Sequence, residues 1–149
     1  MEKTFVMIKP EGVNRRLIGQ IISRFEQKGL HILTMKCVLP ERIVLEKHYA
    51  EHKGKGFYEN YLKHLESGRV VPMVLQGNDA VFVARKLIGA TNPKEAEVGT
   101  IRGDFGLDIG RNIIHGADSL ESADREIGIW FGETVKEIQM VDDNLVYEL

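Results

Sequence analysis

His115 has the side chain and the setting best suited to covalent chemistry, because it stands in the run N-I-I-H-G that begins at Asn112. An unperturbed imidazole is mostly uncharged near neutral pH, so a ring nitrogen keeps a lone pair that can attack phosphorus. The following Gly116 leaves the ring open to a ligand. Glu126 falls on the next predicted helix, where it can orient the ring through a hydrogen bond. Spacing alone leaves open the alternative of a structural histidine.

Three basic residues can supply positive charge to the same region. Lys9 follows the first predicted strand, Arg85 lies near the end of a predicted helix, and Arg102 lies in the run G-T-I-R-G-D-F. If they converge, they form a polyphosphate clamp to which Thr91 adds a hydroxyl. The alternative is that each is a solvated surface charge. No glycine run matches a phosphate loop or a dinucleotide fingerprint, so a nucleotide would be held by side chains.

The run H-Y-A-E-H from His48 to His52 raises a competing hypothesis, a zinc hydrolase. It fits the pattern H-x-x-E-H, in which two histidines on one helical face bind zinc and Glu51 lies between them. The pattern has few fixed positions, and no third ligand segment accompanies it. We interpret it as a coincidence, and a purified protein without zinc would exclude the hydrolase.

Four predicted strands and the helices between them must position these side chains. The strands cover residues 4–8, 30–39, 70–75 and 112–114, and helices begin near Ile18, Pro40, Phe57, Asp79 and Ser119, two of them ending at Gly29 and Gly89. The resulting order β-α-β-β-α-β predicts an α+β fold of the ferredoxin-like split β-α-β type. Its four-stranded antiparallel sheet would have helices packed on it.

Local signals predict how some of these elements begin and end. Pro72 indicates an irregularity in the third strand or a sheet edge. Asp79 is placed to cap one helix, and Asp118-x-x-Glu121 is a candidate capping box for the last helix, with Ser119 as the alternative cap. Between these elements, residues 90–116 read as one long glycine-rich loop of a kind that is commonly functional. The tail that ends at residue 149 reads as irregular.

Length and composition favour one ordinary globular domain, residues 1–149. Twenty Lys+Arg against 22 Asp+Glu give a net charge of −2, so no overall positive field favours nucleic acid as a partner. We find neither a signal-peptide pattern nor an apolar run long enough for a membrane span, so we expect a cytoplasmic protein. The single cysteine, Cys37, excludes an internal disulfide and is predicted to be buried and inert.

The chain resembles nucleoside diphosphate kinases over essentially its whole length. Six segments carry the resemblance in the same order and spacing: F-V-M-I-K-P-E-G-V from Phe5, R-F-E-Q-K-G ending at Gly29, H-Y-A-E-H from His48, G-A-T-N-P from Gly89, G-T-I-R-G-D-F from Gly99 and N-I-I-H-G-A-D-S from Asn112. The resemblance implies the ferredoxin-like fold that the strand order also predicts.

What the resemblance implies about activity is transfer of a γ-phosphoryl group from a nucleoside triphosphate to a nucleoside diphosphate. The reaction would need Mg²⁺, held mainly by the nucleotide phosphates, and would run by a ping-pong mechanism through a phosphohistidine. His115 matches the family nucleophile, and Glu126 matches the carboxylate that positions it. The remaining matched positions hold the phosphates, the ribose or the phosphorylated ring: Lys9, Tyr49, Arg85, Thr91, Arg102 and Asn112.

The resemblance also implies how the base is bound. Phe57 matches the aromatic side chain on which the base stacks, and Ile109 matches the apolar residue on its other face. A base held by its π-face needs no hydrogen bonds to its edge, so broad tolerance of purines and pyrimidines follows.

Several positions depart from the family pattern without removing a catalytic group. Ala117 stands where a serine is usual, and that hydroxyl normally supports the glutamate that Glu126 matches. Val98 replaces a usual proline, and Lys55-Gly56 replaces a usual Arg-Pro. These departures motivate an alternative, a regulatory nucleotide-binding protein with weak catalysis on the same fold.

The family assembles as hexamers or tetramers built from a common dimer. The complete loop and the extended tail ending in Val146-Tyr147-Glu148-Leu149 resemble the hexameric branch, so the resemblance implies a homo-oligomer, a hexamer with a tetramer as the alternative.

Overall fold

A four-stranded antiparallel sheet forms the centre of the computed structural model, which describes residues 1–132, 135–140 and 143–148. The strands are β1 (Glu2–Ile8), β2 (His31–Met35), β3 (Val71–Gly77) and β4 (Ile114–Gly116). They lie in the order β2-β3-β1-β4, and every pairing is antiparallel. The predicted ferredoxin-like α+β fold class is confirmed.

Helices connect the strands and cover the sheet. In chain order they are α1 (Pro10–Asn14), α2 (Ile18–Lys28), α3 (Arg42–His48), α4 (Tyr58–Glu66), α5 (Ala80–Ile88), α6 (Ile101–Phe105), α7 (Leu120–Phe131) and α8 (Asp143–Val146). Short 3₁₀ segments lie at Ala50–His52 and Ile109–Arg111.

The two faces of the sheet bury separate apolar cores. Successive side chains of a strand point to opposite faces. Along β1, Phe5 and Met7 therefore join one core, and Val6 and Ile8 join the other. Helices α2 and α5 pack on the Val6 face, and α3, α4 and α7 pack on the Phe5 face. Because both faces are covered, β1 is a continuous apolar run rather than an alternating one.

The third and fourth strands differ from their predictions. β4 covers Ile114–Gly116 rather than 112–114, so His115 lies inside the strand, opposite Met7 of β1. Pairing with β1 sets which residues of this segment belong to β4. The short apolar run in the sequence does not by itself specify that register. β3 lies between β2 and β1, so a sheet edge at Pro72 is wrong. The carbonyl of Pro72 accepts a hydrogen bond from the backbone N–H of Lys36.

Two of the predicted helix caps are also corrected. Ser119 caps α7, because its hydroxyl accepts the backbone N–H of Ser122 at 3.0 Å, so the Asp118 capping box is wrong. Asp79 occupies the cap position of α5 in a left-handed conformation, and its side chain makes no capping hydrogen bond. The glycines predicted to end helices α2 and α5 do so at positive φ, namely Gly29 and Gly89.

Residues 90–116 contain regular secondary structure and are not one continuous loop. They contain α6, which is capped by Thr100 through the backbone N–H of Gly103, and the 3₁₀ segment before β4. The tail likewise holds the short helix α8, while Leu149 lies outside the described residues.

Two further predictions near β2 are wrong. Cys37 lies beyond the end of β2 and is exposed rather than buried. Helix α3 begins at Arg42 rather than at Pro40. Within the described part of the chain, no helix combines the length and apolar character that crossing a membrane requires.

Candidate active site

All the side chains predicted for the site line one pocket of about 670 Å³. The pocket lies beside the adjacent ends of β1 and β4, and α3, α4 and α7 contribute to its walls. A cavity of this volume suits a small-molecule ligand. The predicted residues that the structure brings together here are Lys9, Tyr49, Phe57, Arg85, Thr91, Arg102, Ile109, Asn112, His115 and Glu126.

His115 and Glu126 form a hydrogen-bonded pair at the base of the pocket. Strand β4 presents the imidazole, and α7 presents the carboxylate, whose Oε1 contacts Nε2 of the ring. The His115 side chain is 24% exposed, whereas that of Glu126 is only 2% exposed. Because Nε2 is engaged, Nδ1 is the ring nitrogen that remains available to a ligand.

The protonation of this pair is set by its enclosure. Burial, followed by the positive charges of Lys9 and Arg102, lowers the pKa of His115 to about 3. Burial also raises the pKa of Glu126 to about 7. At neutral pH the imidazole is therefore uncharged and keeps its lone pair, which nucleophilic attack requires.

Arg102 and Arg85 approach the site from the same side of β4. Arg102 is buried and donates to the carbonyls of Asn112, Gly89 and Ile114 at 3.3, 3.2 and 2.7 Å. Burial and then the nearby Arg85 lower the pKa of Arg102 to about 10, so it remains a cation at neutral pH. Arg85 is only partly buried and donates to the carbonyl of Gly116 at 3.1 Å.

Lys9 is held at the end of β1 by contacts from distant parts of the chain. Its Nζ lies 2.7 Å from Oδ1 of Asn112 and 5.2 Å from the ring centroid of Tyr61. The amide nitrogen of Asn112 in turn donates to the carbonyl of Thr91 at 3.0 Å. One asparagine thus ties together the loop carrying Thr91, the lysine and the residues that lead into β4.

Backbone strain is stored immediately before the histidine. Ile113, a β-branched residue, has φ of +76°, a conformation that costs on the order of 1–3 kcal/mol. Its N–H donates to a carboxylate oxygen of Glu11, and its carbonyl accepts from the N–H of Lys9. These bonds hold the turn that places His115 at the pocket.

The aromatic and apolar walls of the pocket differ in burial. Tyr49 is buried, and among the described residues its hydroxyl has no hydrogen-bond partner. Burial raises the pKa of that hydroxyl well above its usual value, so it remains a neutral donor. Phe57 and Ile109 line the pocket with 53% and 59% of their surfaces exposed. They form an apolar mouth around a polar, cationic interior.

The net charge of the pocket matches an anion. Its cationic side chains are Lys9, Arg85, Arg102, Arg111 and Arg125, and its acidic ones are Glu51, Asp118 and Glu126. One of these carboxyls is engaged by His115. Guanidinium groups bind phosphate oxygens in pairs, so the interior can hold a polyphosphate against a neutral nucleophile.

Comparison with known proteins assigns the chain to a family. A sequence profile described as nucleoside diphosphate kinase matches residues 2–135. The chain belongs to the nucleoside diphosphate kinase family. The family's protein from Encephalitozoon cuniculi is 50% identical over 147 residues, covering 99% of this chain and all of that one. The protein from Desulforamulus reducens is 54% identical over 149 residues, with the same coverage.

Solved structures of nucleoside diphosphate kinases share the fold closely. The apo structure from Encephalitozoon cuniculi has a TM-score of 0.95 at 50% identity, covering 99% of this chain and 100% of that one. The structure from Halobacterium salinarum in complex with CDP has a TM-score of 0.94 at 41% identity and covers 99% of each chain. The predicted resemblance is confirmed, and the chain is an enzyme of this phosphotransferase family.

Several pocket side chains of this family member were not predicted as site residues, and Tyr61 and His48 are two of them. Tyr61 lies one helical turn after Phe57, and that spacing on an exposed helix face was the available signal. His48 drew attention only as part of the zinc pattern. In the described part of the chain, the side chains close enough together to bind a metal ion are those of His48, His115 and Glu126. Glu51 and His52, the other two residues of the zinc pattern, are not among them.

The positions that depart from the nucleoside diphosphate kinase pattern lie in different settings. Ala117 is buried in the core on the Phe5 face, next to the site. Val98 is 90% exposed on the surface. Lys55 lies near the pocket mouth, with Nζ 6.0 Å from the ring centroid of Phe57.

Proposed function

We propose that the chain transfers the γ-phosphoryl group of a nucleoside triphosphate to a nucleoside diphosphate by a ping-pong mechanism, with His115 as the phosphorylated residue. The observation that carries the proposal is that the uncharged imidazole of His115 lines the same pocket as the cationic side chains of Lys9, Arg85 and Arg102. Glu126 holds Nε2 of the imidazole and leaves Nδ1 free.

In the first half-reaction, Nδ1 of His115 forms a bond to the γ-phosphorus while the bond from that phosphorus to the β–γ bridging oxygen breaks. The electron pair of the broken bond leaves with the nucleoside diphosphate. Bonding at Nδ1 gives the ring positive charge, which the Glu126 carboxylate stabilises through Nε2–H. In the second half-reaction, a terminal phosphate oxygen of another diphosphate takes the phosphoryl group from Nδ1.

The surrounding side chains supply charge and alignment, which are the main needs of a loose phosphoryl-transfer transition state. Arg85, Arg102 and Lys9 place positive charge around the transferred oxygens. Tyr49 offers a buried hydroxyl that has no protein partner among the described residues, and a ligand oxygen would satisfy it. Asn112 and Thr91 would contact the ribose or the phosphates beside Lys9.

We propose that Phe57 and Ile109 hold the base between them at the pocket mouth. Both present apolar surface and no donor or acceptor that would read the edge of the base. Stacking is tolerant because every base has a π-face. The enzyme should therefore accept purine and pyrimidine nucleotides at similar rates.

The pocket carboxylates fit a Mg²⁺ ion that arrives with the nucleotide. Mg²⁺ prefers oxygen ligands and is commonly bound by few carboxylates together with substrate phosphates. Hydrogen bonding from Ser122 lowers the pKa of Asp118, so an ionised carboxylate lines the pocket. When bound, Mg²⁺ would neutralise phosphate charge, held by the phosphates with Asp118 as the protein group nearby.

We further propose that residues 1–149 act as one kinase domain in the cytoplasm and assemble as a homo-oligomer. A hexamer is favoured, and a tetramer is the alternative. Native mass measured across a range of protein concentrations separates these states. A monomer at micromolar concentration would contradict the proposal.

The deciding experiment combines phosphoryl transfer from ATP to GDP with mass analysis of protein exposed to ATP alone. We expect GTP, and an acid-labile phosphate on His115. His115→Ala should abolish both while ADP still binds, and His31→Gln, a change on β2 away from the pocket, is the matched control. ADP binding without any transfer would instead favour the regulatory nucleotide-binding protein.

A further inference from the structure

We propose that His48, fixed in one tautomer by Trp130, is a positioning residue that holds Glu126 for its interaction with His115. The inference rests on the proposed function, since it concerns how the phosphorylated histidine is prepared. It assigns a role to a buried histidine that the phosphate and base contacts do not use.

Trp130 determines which nitrogen of His48 carries the proton. The indole Nε1 of Trp130 lies 2.7 Å from Nδ1 of His48, and both side chains are buried. An indole N–H is only a donor, so Nδ1 must be the acceptor and carries no proton. Burial lowers the pKa of His48 well below its usual value, so the ring stays neutral. Its one proton is therefore on Nε2.

The protonated nitrogen of His48 lies in electrostatic contact with the carboxylate of Glu126. Nε2 of His48 lies 3.4 Å from Oε1 of Glu126, the same oxygen that contacts His115. The His48 and Glu126 side chains are both 2% exposed, so water does not screen them. The ring centroids of His48 and His115 are 4.6 Å apart, edge to face. Oε1 of Glu126 thus contacts two imidazoles that both line the pocket, the buried His48 and the more exposed His115.

The sequence makes this support more important in this chain. Position 117 is an alanine, so no hydroxyl at that position can bond to Glu126. Among the described residues, the polar side chains in contact with the carboxylate of Glu126 are those of His115 and His48. Without the N–H of His48, the carboxylate of Glu126 keeps only its contact with His115. His115 is the ring that Glu126 has to orient, so nothing independent would then hold the carboxylate in place.

His48→Asn isolates the proposed contact. Its amide oxygen can take the place of Nδ1 and accept from Trp130, while no group replaces Nε2–H. His48→Gln is the conservative counterpart, because its amide nitrogen can reach the position of Nε2. Since a misplacement of about 1 Å can cost about a hundredfold in rate, we expect His48→Asn to slow phosphorylation of His115 by about tenfold or more. The Kd for ADP should stay within about twofold, and His48→Gln should recover most of the rate.

A second variant makes the test specific to Glu126. Ala117 shares a buried core with Ala123 and Ile127 of α7, the helix that carries Glu126, so Ala117→Ser adds a hydroxyl beside that helix. We expect it to restore the phosphorylation rate several-fold in the His48→Asn background and to change the unmutated chain little. If the effects of His48→Asn and Ala117→Ser on the phosphorylation rate are simply additive in the double variant, the inference is overturned. A normal phosphorylation rate in a folded His48→Asn variant would also overturn it.

The tautomer is tested independently by nitrogen-15 NMR of the histidine rings in the full chain. We expect Nε2–H for His48, and a shift of its signals in Trp130→Phe together with slower phosphorylation. An Nδ1–H tautomer overturns the inference whatever the activity. If the unmutated chain forms no phosphohistidine, the proposed function fails, and this spectrum still decides the tautomer.

Discussion

Lys9 donates a hydrogen bond to Asn112 over 2.7 Å, although the two residues are 103 positions apart in the chain. Both side chains are buried, at 5% exposure each. The bond joins the end of β1 to the turn that precedes β4, so it fixes the ammonium group beside the strand that carries His115. The same contact that supports the fold therefore aims a positive charge into the pocket.

Lys9→Gln removes that charge and leaves a donor of similar reach. We expect kcat/KM to fall by about a hundredfold, because electrostatic groups aimed at developing charge typically contribute on the order of 10²–10³. Steady-state kinetics with ATP and GDP measure the effect. Lys55→Gln at the exposed pocket mouth is the control, and an equal loss in both variants would contradict the role of Lys9.

Replacing Arg102 should lower the free energy of unfolding more than replacing Arg85, because Arg102 makes three hydrogen bonds to carbonyls and Arg85 makes one. Arg102→Met leaves two buried carbonyls and one partly buried carbonyl without their donor, so we expect the free energy of unfolding to fall by roughly 3 kcal/mol. Arg85→Met loses one partly buried bond, and we expect roughly 1 kcal/mol. Urea unfolding measures both, and transfer activity should fall in each. An equal loss of unfolding free energy in the two variants would show that the additional carbonyl contacts of Arg102 do not stabilise the fold.

Glu126→Gln should increase stability at alkaline pH while it slows transfer. The carboxyl of Glu126 has its pKa raised from 4.5 to about 7, so ionisation costs the folded state roughly 3 kcal/mol. That cost is absent below pH 4.5, grows as the pH rises to 7, and is constant above it. The variant should therefore be more stable by roughly 1–3 kcal/mol at pH 8, with the difference vanishing near pH 4.5.

Urea unfolding at a series of pH values measures the gain in the glutamine variant. Glu95→Gln, a change at an exposed position outside the pocket, is the matched control and should show no such trend. A gain for Glu126→Gln that is the same at pH 4.5 and pH 8 would show that it does not come from ionisation.

Ala117→Ser should give equal or higher activity and stability. The alanine is buried beside the site, and the resemblance implies that a serine at this position would support the carboxylate of Glu126 through its hydroxyl. Initial rates and thermal unfolding measure the two properties, with Ala117→Val as a control that adds volume without a hydroxyl. A clear loss of both properties in the serine variant would mean that the surroundings of Glu126 differ from those in the rest of the family.

Local sequence signals determined much of the secondary structure. The glycines after α2 and α5 end those helices because positive φ is available to glycine at little cost. The apolar run of β1 predicted a buried strand, since both faces of the sheet are covered. The six ordered segments were enough to indicate the family. The resemblance then named a set of site residues, and every member of that set lines the pocket.

The errors fell where distant parts of the chain decide the outcome. The register of β4 depends on pairing with β1, and the interior position of β3 depends on strands before and after it. Cys37 looked buried because its neighbours are apolar, yet β2 ends before it and leaves it exposed. Periodicity within one segment carries no information on which other segment will cover it.

The types and order of the residues specify which chemical groups this protein has and which family uses them in that order. The fold is what brings Glu126 to Nε2 of His115, and Trp130 to Nδ1 of His48, where it dictates the position of the histidine proton. It also decided that burial holds His115 neutral and raises the pKa of Glu126 to about 7. Hydrogen-bond direction and desolvation depend on atoms brought together from distant positions, so no local pattern encodes them.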